Sequence, residues 1–218
     1  MRLASIVKRS VMNGPGVRLV AVSQGCHYNC PGCHSQNLRS KEGGVEMTAE
    51  EFLEFLDPET TGITLSGGEP LLQLDECVAF LKAAKEKGLH TMLYTGMQEE
   101  VWFSKEPNIC EMRDKVEPYL DMIKIGPFDE CSRNTVLMAR GSSNQTVYEL
   151  QRFTSDNEDG ERSFVHAYNV VQGEHKPFVT SEFKKTFRSR ASEIAPAPVG
   201  TFNGDIEYRK DHFSPNDL

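Results

Sequence analysis

Val17-Arg-Leu-Val-Ala-Val-Ser23-Gln-Gly-Cys26-His-Tyr-Asn-Cys30-Pro-Gly-Cys33-His34 is the stretch on which the fold turns. Its first seven residues are mostly apolar and β-branched, the composition of a strand. Three cysteines follow within eight residues, so they lie on the loop leaving that strand's carboxyl end. The same strand-then-glycine pattern returns downstream. Residues 62–66 read as a strand turning at Gly67-Gly68, residues 89–94 as one turning at Thr95-Gly96, and residues 121–125 as one closed by Gly126-Pro127.

Helical segments separate these strands. Thr48-Ala-Glu-Glu51 has capping-box form, and Phe52, Phe55 and Leu56 share a face after it. Leu74, Cys77, Val78, Leu81 and Ala84 keep helical spacing up to a stop at Gly88. A further helix is expected around residues 98–103. Strands of about five residues alternating with helices indicate βαβ units and an α/β fold on a parallel sheet. The chain has 218 residues, short for a full eight-unit barrel of ~250. The expected architecture is therefore a partial, open (β/α) barrel with a C-terminal extension. Ligands of such sheets bind at the carboxyl ends of the strands. The cysteine loop, Gly67-Gly68-Glu69 and Tyr94-Thr95-Gly96 all fall on that edge.

The regular pattern weakens near residue 146, so residues 1–147 are read as the core and residues 148–218 as the extension, partner-facing and loose at its end. Within the extension, residues 154–162 are polar and turn-rich, and 162–171 read as a strand. Residues 182–191 read as a short basic helix whose Lys184–Arg190 run is a solvated face, and Ala195-Pro-Ala-Pro198 reads as a linker.

A net charge of −8 argues against general nucleic-acid binding. No apolar run is long enough for a membrane span, and the first residues lack the apolar stretch of a signal peptide. The expected location is the cytoplasm. In a reducing compartment, three clustered cysteines indicate a metal site rather than disulfides. Thiolates suit zinc or iron–sulfur clusters. A structural zinc usually takes four protein ligands, so a zinc knuckle would have to recruit His34 or His27. A [4Fe–4S] cube held by Cys26, Cys30 and Cys33 leaves one iron open for a substrate or cofactor.

The Cys26-x3-Cys30-x2-Cys33 spacing resembles the signature of the radical S-adenosylmethionine superfamily. Asn13-Gly-Pro-Gly-Val-Arg18, Gln24-Gly-Cys26 and Cys30-Pro-Gly-Cys33-His34-Ser-Gln-Asn37 resemble the activating enzymes of glycyl-radical enzymes. Lys124-Ile-Gly-Pro-Phe128 and Arg140-Gly-Ser-Ser-Asn-Gln145 resemble one branch of these, the activators of anaerobic (class III) ribonucleoside-triphosphate reductase. The position before the third cysteine, often aromatic in the superfamily, is Gly32.

The resemblance implies a [4Fe–4S] cluster and S-adenosyl-L-methionine as cofactors. It implies reductive cleavage of the latter to a 5′-deoxyadenosyl radical, and hydrogen abstraction from a glycine of the partner, anaerobic ribonucleoside-triphosphate reductase. A low-potential electron donor such as flavodoxin is implied as well. It places the main chain of Gly32, Cys33 and His34 along the adenosine. Ser66-Gly-Gly-Glu-Pro70 resembles the segment that contacts the methionine part, Gly67 and Gly68 by close backbone approach and Glu69 by offering a carboxylate to the ammonium. A tight turn is the alternative for Gly67-Gly68. Other functions kept open are activation of a pyruvate formate-lyase-type enzyme, a small-molecule radical enzyme such as a deazapurine synthase, and a zinc interaction module. Asn13–Gly16 is either a turn or partner-facing, Tyr94 is core or flanks adenine, and Arg140–Gln145 caps a loop or docks a partner. Cys77 is expected in the core, and Cys110 and Cys131 as free thiols.

Overall fold

The computed structural model describes residues 1–156, 162–171 and 206–207. The expected parallel strands are present: β2 (Arg18–Ser23), β4 (Gly62–Gly67), β5 (His90–Thr95) and β6 (Met122–Ile125), paired side by side in that order. Antiparallel strands flank them. On one side stand β1 (Arg2–Ser10) and the two-residue β3 (Val45–Glu46), and on the other β7 (Thr146–Asp156) and β8 (Arg162–Val170). The sheet is open and runs β3-β1-β2-β4-β5-β6-β7-β8, with β9 (Ile206–Glu207) added against β1. Strand β7 runs through residues 147 and 148 while pairing with β6, so the sheet continues beyond the expected end of the core. The basic run and the proline linker lie outside the described residues.

Side chains alternate across each parallel strand, so one face is wholly apolar and the other mixed. Leu19, Ala21, Ile63, Leu65, Leu93, Ile123 and Ile125 point to the face covered by helices. Helix α1 (Ala49–Leu53) carries the expected capping box, with Glu51 N donating to Thr48 Oγ1 at 3.2 Å and Thr48 N to Glu51 Oε2 at 2.9 Å. Helix α2 (Leu74–Glu86) buries Cys77, Phe80, Leu81 and Ala84, a 3–4 spacing that makes one stripe. Phe80 stacks on Phe52 of α1 at 5.1 Å. Each such fully buried side chain contributes roughly 1.5–3 kcal/mol. Gly88, at φ +72°, ends α2 as expected.

Three elements depart from the pattern that sequence offers. Helix α4 (Pro107–Val116) buries only Val116, so it has no apolar stripe to betray it. It follows α3 (Glu99–Trp102), which forms where a helix was expected. Strand β1 has no clean alternation, because its register against β2 shifts between Leu3 and Ser5 and again between Val7 and Ser10. Strand β7 carries on where the pattern weakens in sequence.

Candidate functional site

The second face of the sheet is covered by loops and is mixed, with a small apolar cluster of Met92, Met122, Met138, Ala139 and Val147 beside buried polar groups. At its lower end Arg18, fully buried, donates to Thr64 Oγ1 at 3.0 Å, to the Pro15 carbonyl at 3.3 Å and to the Ile63 carbonyl. It also meets His90 Nδ1 at 3.0 Å. A guanidinium only donates, so that nitrogen accepts. Burial lowers Arg18 to about 10. Burial first, then the Arg18 charge, lowers His90 to about 4. The Asn13–Gly16 loop folds over this group, its Asn13 carbonyl accepting from Thr64 Oγ1 at 2.6 Å. The loop is thus a turn fastened to the sheet.

The carboxyl ends meet along one edge, where Ser23 pairs with Gly67 and Thr95 with Ile125. There the cysteine loop closes at a narrow neck: Gly25 N donates to the Leu38 carbonyl at 2.9 Å and Cys26 N to the Arg39 carbonyl at 3.3 Å. Cys26, Cys30 and Cys33 are all reduced and partly exposed. Their charges are mutually felt: burial raises the Cys26 thiol, and Glu69, Cys30 and Cys33 add to the rise. Among the described residues, no three His, Cys, Asp or Glu side chains gather as a site for a single ion. Two thiolates on one zinc would stand about 3.8 Å apart, whereas a cube accepts each on a different iron. The donor chemistry, three soft thiols on one short exposed loop, fits the cube.

The loop is fixed from two sides. Tyr28 lays its ring on Gly96, where a Cβ would come within 2.7 Å of it. Gly32, at φ +69°, faces the Glu130 carboxylate, 2.4 Å from where a Cβ would stand. This close approach is a local reason for glycine before the third cysteine. His34 is exposed, yet protein crowding and the charges of Lys124 and Arg133 hold it below its usual pKa.

Gly67 and Gly68 serve the protein's own packing first. A Cβ at 67 would lie 2.5 Å from Ser23 N, and one at 68 only 2.1 Å from the Gly25 carbonyl. Glu69, the carboxylate expected at the cofactor's ammonium, is engaged by the protein's own donors. Its carboxylate is 1% exposed and turned inward. Oε2 accepts from Thr95 Oγ1 at 3.0 Å and Gly96 N at 2.8 Å, and Oε1 from Leu71 N at 3.1 Å. With these donors engaged, it clasps the β4 turn to the β5 turn. Burial raises it to about 7 against the pull of those donors.

Sequence reasoning missed Lys124 and Tyr28 as site residues. Lys124 stands opposite Tyr94 in register, its Nζ 4.4 Å from the ring centre. Burial lowers it to about 8, while Glu69, Cys33 and Cys30 raise it. A lysine inside the otherwise apolar Met122–Ile125 was the available signal. The Tyr94 hydroxyl is buried and finds no hydrogen-bond partner among the described residues. The Arg140–Gln145 segment is knitted to β6: Gln145 Nε2 donates to the Gly126 carbonyl at 2.9 Å, Asn144 Nδ2 to that of Pro127 at 2.9 Å. Cys77 is in the core, and Cys110 and Cys131 are free thiols.

Comparison with known proteins agrees with this geometry. Three curated relatives are a pyruvate formate-lyase-activating enzyme of Streptococcus mutans, one of Clostridium pasteurianum, and a pyruvate formate-lyase 1-activating enzyme of Escherichia coli K12. The first is 34% identical over 153 residues, covering 66% of this chain and 57% of the relative. The second is 40% identical over 101 residues, 43% and 42%. The third is 28% identical over 162 residues, 71% and 63%. The chain thus spans less than two thirds of the length of these relatives. The expected [4Fe–4S] cluster agrees with the matching family, and the relatives are activating enzymes. Among the described residues no helix is long and apolar enough to cross a membrane. The model of the 4Fe-4S single cluster domain matches residues 12–148, from the Asn13–Gly16 loop through the cysteine loop to β7, and the chain belongs to that family.

Proposed function

We propose that this chain installs a glycyl radical on a partner enzyme, using S-adenosylmethionine and a [4Fe–4S] cluster ligated by Cys26, Cys30 and Cys33. The observation that carries the proposal is the three-thiol loop at the carboxyl edge of an open parallel sheet, which we read as the expected partial barrel. When bound, the cluster supplies the electron that breaks a carbon–sulfur bond of S-adenosylmethionine. The chain's own residues hold and orient. The three thiolates bind the cluster, and Tyr28 on Gly96 sets the loop's height above β5. The main chain of Gly32, Cys33 and His34 is assigned to the adenosine, and that of Gly67 and Gly68 to the methionine part. Glu69 fixes the Gly67-Gly68 turn and is assigned, by the same resemblance, to the ammonium. A low-potential donor such as flavodoxin and a cytoplasmic location complete the proposal.

The partner reading best supported by the relatives is a pyruvate formate-lyase-type enzyme. A second reading, anaerobic ribonucleoside-triphosphate reductase, rests on the Arg140–Gln145 segment, which resembles that branch and sits beside the site on Gly126 and Pro127. The test mixes anaerobically reconstituted protein, reductant and S-adenosylmethionine with each partner in turn. Electron paramagnetic resonance should show a glycyl doublet on pyruvate formate-lyase. A doublet on the reductase alone would select the second reading. Turnover of a small molecule with neither doublet would defeat both.

A further inference from the structure

Lys124 is a cation in the site that the proposed chemistry leaves without a task. It projects from β6 onto the loop-covered face, next to Tyr94 in register. Among the described residues no carboxylate lies within ion-pairing distance of it. It rests instead over the Tyr94 ring, 4.4 Å from the centroid, where the ring's negative face holds an ammonium in place. Tyr94 is fixed in turn by its place in β5, between the strand's buried Leu93 and Thr95 and in register with Lys124 itself. The strand of Lys124 ends, next to Thr95 in register, at the carboxyl edge where the cysteine loop sits, and the charges that act on the lysine are those of Glu69, Cys33 and Cys30.

We propose that Lys124 is a positioning residue whose fixed positive charge, braced on Tyr94, raises the reduction potential of the cluster held by the cysteine loop. This rests on the cluster reading above. Three thiolates on a cube make an anionic assembly, and one-electron reduction makes it more so. A cation beside it stabilises the reduced form more than the oxidised form, and a low surrounding dielectric preserves the effect. The lysine neither ligates iron nor moves a proton. Its contribution is an electrostatic bias on whether the electron stays on the cluster.

The test is a redox titration of the reconstituted protein without S-adenosylmethionine, followed by electron paramagnetic resonance. Lys124→Met should load iron as the parent does and lower the midpoint. At a fixed potential the ratio of reduced to oxidised cluster should fall about tenfold, a shift of ~59 mV for one electron. Lys124→Arg should keep the parent value, and Tyr94→Phe, which retains the ring face, should as well. An unchanged midpoint in Lys124→Met, or an equal fall in Lys124→Arg, would overturn the proposal. So would folded Lys124→Met and Lys124→Gln chains that both refuse the cluster, since a tuning charge leaves three thiolates able to bind. If the parent takes up no cluster, the underlying function fails instead, and iron analysis distinguishes that case.

Discussion

The two faces of the central sheet differ in kind although the same strands make both. Toward the helices, Leu19, Ile63, Leu65, Leu93 and Ile123 form a continuous apolar layer. Toward the loops, the alternate residues Arg18, Thr64, His90, Tyr94 and Lys124 are polar and mostly enclosed. Burial on the first face is favourable by itself. On the second face the buried polar groups need partners, since an unmade buried hydrogen bond costs ~1–3 kcal/mol, and the Tyr94 hydroxyl finds none among the described residues. The comparison teaches that stability is concentrated on one side of the sheet and chemistry on the other. The turns at the carboxyl edge tie the two together.

The largest expected effect breaks the comparison at the cysteine loop. Cys30→Ala should reduce bound iron from about four per chain to nearly none, since three thiolates are needed to hold the cube. Its thermal transition without iron should stay close to the parent's, because the side chain is partly exposed and outside the core. Iron and sulfide analysis beside calorimetry checks both halves. Leu65→Ala, on the opposite face, should do the reverse. It should cost ~2–5 kcal/mol in urea unfolding, as expected for a fully buried leucine, and leave the iron content of the folded fraction unchanged.

Gly68→Val tests the edge where the faces meet. A Cβ there would stand 2.1 Å from the Gly25 carbonyl, so the neck of the cysteine loop must shift. We expect a cost of ~1–3 kcal/mol together with a severalfold fall in cluster loading. Normal loading with weakened S-adenosylmethionine binding would mean that the glycine serves the cofactor alone.

The smallest effect concerns pH. His90 is held near 4 by burial and by Arg18, so it is neutral in the folded chain. Unfolded histidine titrates near 6.5. Between these values the unfolded chain binds the additional proton, so the His90 contribution is complete above pH 6.5 and is lost as the pH falls toward 4. Replacing His90 with Gln should flatten that slope by ~2 kcal/mol at pH 5, measured by urea unfolding across the range.

Much of this was legible in the sequence, for local reasons. The parallel strands are short apolar runs, each followed by glycine, and the cysteine spacing is a property of eight consecutive residues. What was not legible depended on distant neighbours. Helix α4 has no apolar stripe, and β1 loses its alternation to two register shifts. Gly68 could be seen to need space, but not that the Gly25 carbonyl occupies it. Glu69 could be seen as a site carboxylate, but not that Thr95, Gly96 and Leu71 engage its oxygens. Lys124 reads as an oddity in a strand until the register places it beside Tyr94.

The neck of the cysteine loop bears on where change can be tolerated. The main-chain bonds from Gly25 to Leu38 and from Cys26 to Arg39 close the loop at its base, while its three thiols remain partly open to water. The tie is made by backbone atoms alone. The exposed Arg39 can therefore change its side chain without loosening the ring, and the spacing of the thiols is a property of main-chain geometry.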